Sequence, residues 1–368
     1  MSSKLFTPIQ LGGVTLPNRI AIAPMCQYSA DDGCMGDWHA MHLPNLVLSG
    51  AGLLVIEATG VTREARITHG CVGLYSDHNE VALARVLAVC RRISKMPIGI
   101  QLAHAGRKAS AQVPWAGGAA LPASESPWPT QAPSAISFAD DWHTPQELDL
   151  SGMRRIVDAF AQAAARTVRL GLDAVELHAA HGYLLHQFMS PLSNRREDAY
   201  GGSLENRLRF PLEVAAALRE VLPRDKCLGA RITASDWMAA GAGPEVAVAL
   251  ARELKRIGYD YVCVSSGGLV PAAKIVAGPG YQLPFAAQVK RESGIATRAV
   301  GMIADPAQAE DVIASGQADM VALARGFLDD PRWGWHAAER LGAKVDYPPQ
   351  YLRSRPELWP GSKLARPQ

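Results

Sequence analysis

Eight short apolar runs punctuate the chain: Arg19–Pro24, Leu53–Ala58, Ile98–Ala103, Asp173–His178, Cys227–Thr233, Tyr259–Ser265, Thr297–Gly301 and Asp319–Ala324. They hold few charges and show no clean alternation, the pattern of strands covered on both faces. Amphipathic stretches lie between them, among them Val81–Ser94, Met153–Leu170, Leu204–Val221, Val246–Ile257, Pro306–Ser315 and Trp333–Leu341. Strands alternating with helices predict a parallel sheet, and eight is the number that closes a (β/α)8 TIM barrel. The alternative is an open doubly wound sheet. The Gly-x-Gly-x-x-Gly that usually follows its first strand is absent after Pro24.

Three segments fall outside the alternation. An N-terminal turn precedes the first run. Ala105–Leu150, rich in Pro, Trp, Ser and Ala, reads as an insertion after strand three that wraps the barrel mouth without a core of its own. Ser151 then begins a helix with Met153, Ile156 and Phe160 on its buried face. Val345–Pro360 is rich in Pro and aromatics and reads as a docked C-terminal strap. Residues 1–360 are expected to form a single domain. Gly361–Gln368 is polar and reads as an appended tail.

On a barrel the chemistry gathers at the C-terminal strand ends. The unusual residues do fall there: Pro24 to Tyr28, Glu57 to Thr59, Gln101 with His104 beyond, His178 and His181, Arg231, Ser265 to Gly268, Gly301 with Met302, and Ala324 to Gly326. Gly301 and the pair Arg325-Gly326 are placed to cradle a phosphate, because backbone N–H groups approach an anion closely where no Cβ intervenes. Arg325 would be its charged fork.

Composition narrows the class. The chain has 368 residues, 48% hydrophobic and 20% charged, which suits a globular protein with a sizeable core. A formal charge of +2 argues for neither nucleic acid nor an anionic membrane. No apolar run approaches the ~20 residues of a membrane span, and MSSKLFTPIQ lacks the apolar core of a signal peptide. The six cysteines, Cys26, Cys34, Cys71, Cys90, Cys227 and Cys263, form no Cys-x-x-Cys pair and no disulfide framework. A reducing cytoplasm is expected.

The most informative stretch is Glu176–Phe210, ELHAAHGYLLHQFMSPLSNRREDAYGGSLENRLRF. His178, His181 and Tyr183 stand where strand four runs out, and Ser203 suits a helix N-cap. Taken alone, the two histidines are open to three readings. They are structural residues with satisfied hydrogen bonds, ligands of a metal-dependent hydrolase that lacks a third ligand at a supporting spacing, or neutral donors gripping a substrate oxygen beside a phenolic acid.

His-x-x-His-x-Tyr followed by SNRREDAYGGSLENR resembles the Old Yellow Enzyme family of flavin-dependent ene-reductases. LPNRIAIAPMCQYSA, HAGRKAS and VGMI are similar to its thermophilic-like class, which includes the YqjM-type enzymes and xenobiotic reductases. The resemblance extends from Leu5 to about Trp359. It implies FMN across the barrel mouth, held by Ala23, Pro24, Met25, Cys26, Ala58, Gln101, Arg231, Gly301, Ala324 and Arg325. NADPH or NADH would reduce FMN, and an α,β-unsaturated carbonyl compound would accept the hydride. Tyr28, His178, His181 and Tyr183 would contact this small-molecule substrate. The His pair would bind its carbonyl oxygen, Tyr183 would give the proton, and Cys26 would tune the flavin.

Arg231 would stabilise anionic reduced flavin, and Gln101 offers a donor and an acceptor to the pyrimidine edge. The resemblance also implies a homodimer or homotetramer in which the strap crosses between subunits and carries Arg353 into the partner's pocket. A flavin-binding protein without turnover is a further alternative. One departure is visible. Some xenobiotic reductases place a tryptophan near strand seven, where Ala299–Met302 offers nothing large, so either the substrate pocket is roomier or the tail supplies the tryptophan, with Trp359 a candidate.

Overall fold

The computed structural model describes residues 2–365. Eight parallel strands close into a barrel in chain order: β1 (Ile20–Ile22), β2 (Leu53–Gly60), β3 (Ile98–Ala103), β4 (Ala174–Ala179), β5 (Cys227–Thr233), β6 (Tyr261–Ser265), β7 (Ala296–Ala299) and β8 (Met320–Leu323). A principal helix follows each strand: α1 (Asp37–Leu46), α2 (Asp77–Ile93), α3 (Leu150–Arg169), α4 (Leu204–Val221), α5 (Pro244–Ile257), α6 (Leu283–Ser293), α7 (Pro306–Ala314) and α8 (Trp333–Arg340), with short extra helices at Leu184–Met189 after β4 and Arg325–Asp329 after β8. The (β/α)8 expectation holds, and the open sheet does not. The strands are buried almost throughout because helices cover one face and the barrel interior fills the other.

Two apolar clusters divide the core. The larger lies between strands and helices and includes Phe160, Phe188 and Phe210. The smaller fills the barrel interior with Leu53, Val55, Ala174, Cys227, Cys263 and Met320. The N-terminal turn is a two-stranded hairpin, Ile9–Leu11 paired with Val14–Leu16, whose buried Leu11 and Leu16 join this inner cluster.

Helix starts follow local side chains. Ser203 accepts from the Asn206 amide at the head of α4, and Ser76 accepts from Asn79 at α2. α3 starts one residue earlier than predicted, at Leu150, because Asp149 caps it by accepting from Gly152. Met153, Ile156 and Phe160 are buried along it, as the periodicity requires.

The insertion is irregular: three short 3-10 turns and one two-residue strand pair, Gln131–Ala132 with Gln146–Glu147. Arg107 pins it from within, donating to the carbonyls of Ile136, Ser137 and Leu269. The strap begins on its own barrel. Tyr347 and Tyr351 pack on Trp335 of α8 with ring centroids 4.2 and 5.9 Å away, and Arg332 and Arg355 lie over strap rings. A 3-10 turn at Pro349–Ser354 leaves Leu352 and Arg353 exposed, and Leu358 and Trp359 are exposed beyond it. Of the polar tail, residues 366–368 lie outside the described residues.

Candidate active site

β4 ends at Ala179, and the chain turns sharply so that His181 takes a left-handed backbone (φ 59°) followed by Gly182 (φ 75°). A Cβ on Gly182 would lie 2.2 Å from the Gly268 oxygen, so the loops after β4 and β6 touch backbone to backbone. The turn returns the His181 ring to the strand end. Its Nδ1 is 3.4 Å from His178 Nε2, and its Nε2 is 2.7 Å from Ser265 Oγ. The Tyr183 ring stands edge-on to His178 at 5.0 Å. Burial, then the Arg231 charge, pushes both imidazoles well below the usual histidine range, so both are neutral. Burial pushes the Tyr183 phenol well up and keeps its proton on. His178 Nδ1 is buried without a partner.

A second group forms after β1. Tyr28 also has a left-handed backbone (φ 51°), a conformation costly for a bulky residue and commonest at functional sites. The carboxylate of Glu57 holds the turn, accepting from the Gln27 amide at 3.0 Å and meeting His39 Nε2 at 3.2 Å. The β2–β3 register shifts between Ile56 and Ala58, a bulge at Glu57 itself. Cys26 faces Cys71, and their hydrogen bond together with burial pushes the Cys26 thiol well up. It is therefore a thiol and not a thiolate.

A cavity of about 940 Å³ opens beside these groups. Of the sequence-predicted residues, Ala23, Arg231, Gly301, Ala324, Arg325 and His181 line it. Pro24, Met25 and Cys26 follow β1, and Ala58 and Gln101 lie within β2 and β3; none of the five lines the cavity. Arg353 is not among them: it sits exposed on the strap, without an ion-pair partner among the described residues. Trp359 does not line the cavity either and lies beside Gly361. The large group near strand seven is Tyr281, since a Cβ on Gly301 (φ 111°) would lie 3.1 Å from its ring and 2.8 Å from Gln282 Nε2.

Sequence reasoning missed Tyr281 and Gln282 of the cavity wall, the His39–Glu57 pair and Lys108. Lys108 was visible only as part of HAGRKAS. Its ammonium bridges the main-chain oxygens of His181 and Gly268 at 2.9 Å each. No cluster of three or more His, Cys, Asp or Glu among the described residues could hold a metal ion.

The groups present fit FMN. Among the described residues Arg231 Nε is buried with no partner and Gln101 Oε1 accepts no hydrogen bond, and Gly301 and Arg325 line the same cavity. A closed barrel that joins an anion cradle to neutral donors and a protonated phenol is laid out as a flavin-dependent oxidoreductase. The chain belongs to the NADH:flavin oxidoreductase / NADH oxidase family, the Old Yellow Enzyme family, which it matches over residues 4–343. It is 44% identical over 355 residues to an NADPH dehydrogenase of Geobacillus thermodenitrificans (strain NG80-2), covering 96% of this chain and 99% of that protein. The NADPH dehydrogenase of Bacillus subtilis (strain 168) is 39% identical over the same shares of both chains. The solved structure of morphinone reductase superposes with a TM-score of 0.76 at 30% identity, over 95% of this chain and 93% of that one. The protein is an FMN-dependent oxidoreductase that draws on NADPH or NADH.

Proposed function

We propose that the protein is an ene-reductase that reduces the C=C bond of α,β-unsaturated carbonyl compounds. FMN, when bound, would supply the hydride, with NADPH or NADH as its source. The chain's own residues do the rest. His178 and His181 bind the carbonyl oxygen, where negative charge grows as the β-carbon accepts hydride. Each neutral imidazole brings one N–H, and the entering oxygen replaces the contact they make with each other. Tyr183 delivers the proton to the α-carbon, and Tyr28 walls the substrate. Ala23, Pro24, Met25, Cys26, Ala58 and Gln101 form the cofactor's bed, Arg231 stabilises its reduced, anionic state, and Gly301, Ala324 and Arg325 hold its phosphate. Cys26, kept as a thiol, tunes the cofactor and is not a nucleophile.

The observation that carries this reading is the meeting of two neutral, buried imidazoles with a buried phenol at one strand end. A hydrolase would need a bound metal or an activated nucleophile there.

The assembly proposed is a homodimer or homotetramer in which the strap crosses to a neighbouring subunit and Arg353 completes its pocket. The exposed Leu352 in the strap turn and Leu358 beyond it support it, because exposed apolar residues on one chain suit burial against a second copy. A reducing compartment is proposed on the six cysteines, all free thiols. No helix among the described residues is long and apolar enough to cross a membrane.

The test is direct. The purified protein should be yellow with flavin absorbance and should oxidise NADPH without oxygen when 2-cyclohexenone is present, but not with cyclohexanone. A colourless protein whose activity is lost to a chelator and restored by zinc would overturn the proposal.

A further inference from the structure

Inside the barrel sits an ion pair that the reaction above does not use. Arg298 on β7 and Glu176 on β4 are fully buried and joined guanidinium to carboxylate. Tyr261 Oη donates to Glu176 Oε2 at 2.8 Å, and the Arg298 guanidinium lies 4.9 Å from the centre of its ring. The ring fills the space above Gly229, where a Cβ would come within 2.2 Å of it. The other carboxylate oxygen, Oε1, accepts from Gln101 Nε2 at 2.7 Å.

Burying two full charges costs several kcal/mol for each ion, and apolar residues of similar volume often serve stability as well or better. The pair therefore calls for a role besides stability. A carboxylate is an acceptor only, so the Gln101 amide must turn its NH₂ toward Glu176 and its carbonyl away. That carbonyl, Oε1 of Gln101, accepts no hydrogen bond from the described residues. Arg298 and Tyr261 both donate to Glu176 Oε2, which leaves Oε1 to Gln101. A neutral group at 176 would donate as well as accept, and Gln101 would be free to flip.

We propose that the Glu176–Arg298 pair is a positioning device for Gln101: it fixes the amide so that Oε1 is a permanent acceptor for the imide N–H of the flavin's pyrimidine ring. The proposal rests on the assignment of Gln101 to the flavin made above. Glu176 and Arg298 are positioning residues, since they act through Gln101.

The test uses holoenzyme reconstituted with ¹⁵N-labelled FMN, reading the N3–H resonance by NMR and the FMN Kd. Gln101→Leu should move the resonance toward its position in free FMN. Glu176→Gln should move it most of the way there and weaken FMN binding about five- to tenfold. Arg298→Lys keeps a cation beside Glu176, so the resonance should stay near the wild-type position even if the protein melts earlier, which a purely structural role would not predict. If Glu176→Gln does not fold, the uncharged pair Glu176→Gln/Arg298→Met should show the same displacement. A wild-type resonance and Kd in the position-176 variants, while Gln101→Leu moves both, would overturn the positioning role alone. The same holds if Arg298→Lys moves the resonance as far as Glu176→Gln. If Gln101→Leu itself moves neither quantity, it is the assignment of Gln101 to the flavin that fails.

Discussion

The Lys108 ammonium lies 2.9 Å from the main-chain oxygen of His181 and bridges it to Gly268, which ties the loops after β4 and β6 together. It is stacked between Phe138 and Tyr183, 4.8 and 5.1 Å from their ring centres. His181 needs this support because its left-handed backbone is unfavourable for a non-glycine residue. Lys108→Met should loosen the His pair and lower kcat/KM for enones about 10- to 100-fold, in line with lost substrate positioning. FMN content should be unchanged.

The same lysine should leave a mark on stability. Burial, then the Arg107 charge, lowers its pKa from 10.5 to about 8. Between those values the unfolded chain binds the proton that the folded chain has shed, so stability from this group rises with pH. Urea midpoints of wild type relative to Lys108→Met should therefore increase from about pH 8 to about pH 10.5. A flat difference would contradict the burial of this ammonium.

Tyr183→Phe should slow reoxidation of the reduced enzyme by an enone far more than reduction by NADPH, because only the former needs its proton. General-acid catalysis is worth ~10²–10⁴-fold, and water entering the site would leave the loss at the lower end. Stopped-flow traces of the two half-reactions check this, and equal slowing of both would exclude Tyr183 as the acid.

Cys26→Ser should preserve turnover while shifting the flavin potential and both half-reaction rates. The thiol is held protonated by Cys71 and burial, so no nucleophile is lost. A potential titration decides it: an inactive variant with an unchanged potential contradicts the tuning role.

How much of this was legible in the sequence depends on the distance between partners. β3, β5 and α4 match their predicted bounds residue for residue, because apolar runs end at sharp breakers and Ser203 caps the helix. α1 went unseen because its N-cap is Gly36, which has no side chain to signal the start, and Pro44 interrupts it. α6 was missed too: it follows a Gly-Pro-Gly segment, and its N-cap, Gln282, makes no side-chain capping bond that would signal the start. His178, His181 and Tyr183 lie within one turn of chain and could be read together. Arg298 and Glu176 are 122 residues apart and Lys108 and His181 are 73 apart, so only the closed barrel brings them together.

Arg353→Ala should raise the enone KM with little change in FMN content if the strap completes a neighbour's site. Mixing it with a His178→Ala/His181→Ala variant should restore activity as hybrid oligomers form, since an intact His pair and an intact Arg353 then meet in one site. A monomer in sedimentation, or wild-type kinetics for Arg353→Ala, would remove the idea.

The central claim, that the two imidazoles act as hydrogen-bond donors to a carbonyl oxygen, is tested most directly by single-turnover reoxidation of the NADPH-reduced His178→Ala/His181→Ala enzyme with 2-cyclohexenone. The account predicts full FMN content, no effect of a chelator on wild type, and reoxidation slowed about 10²–10³-fold, the scale of lost oxyanion donors. Reoxidation by the enone at the wild-type rate would contradict it.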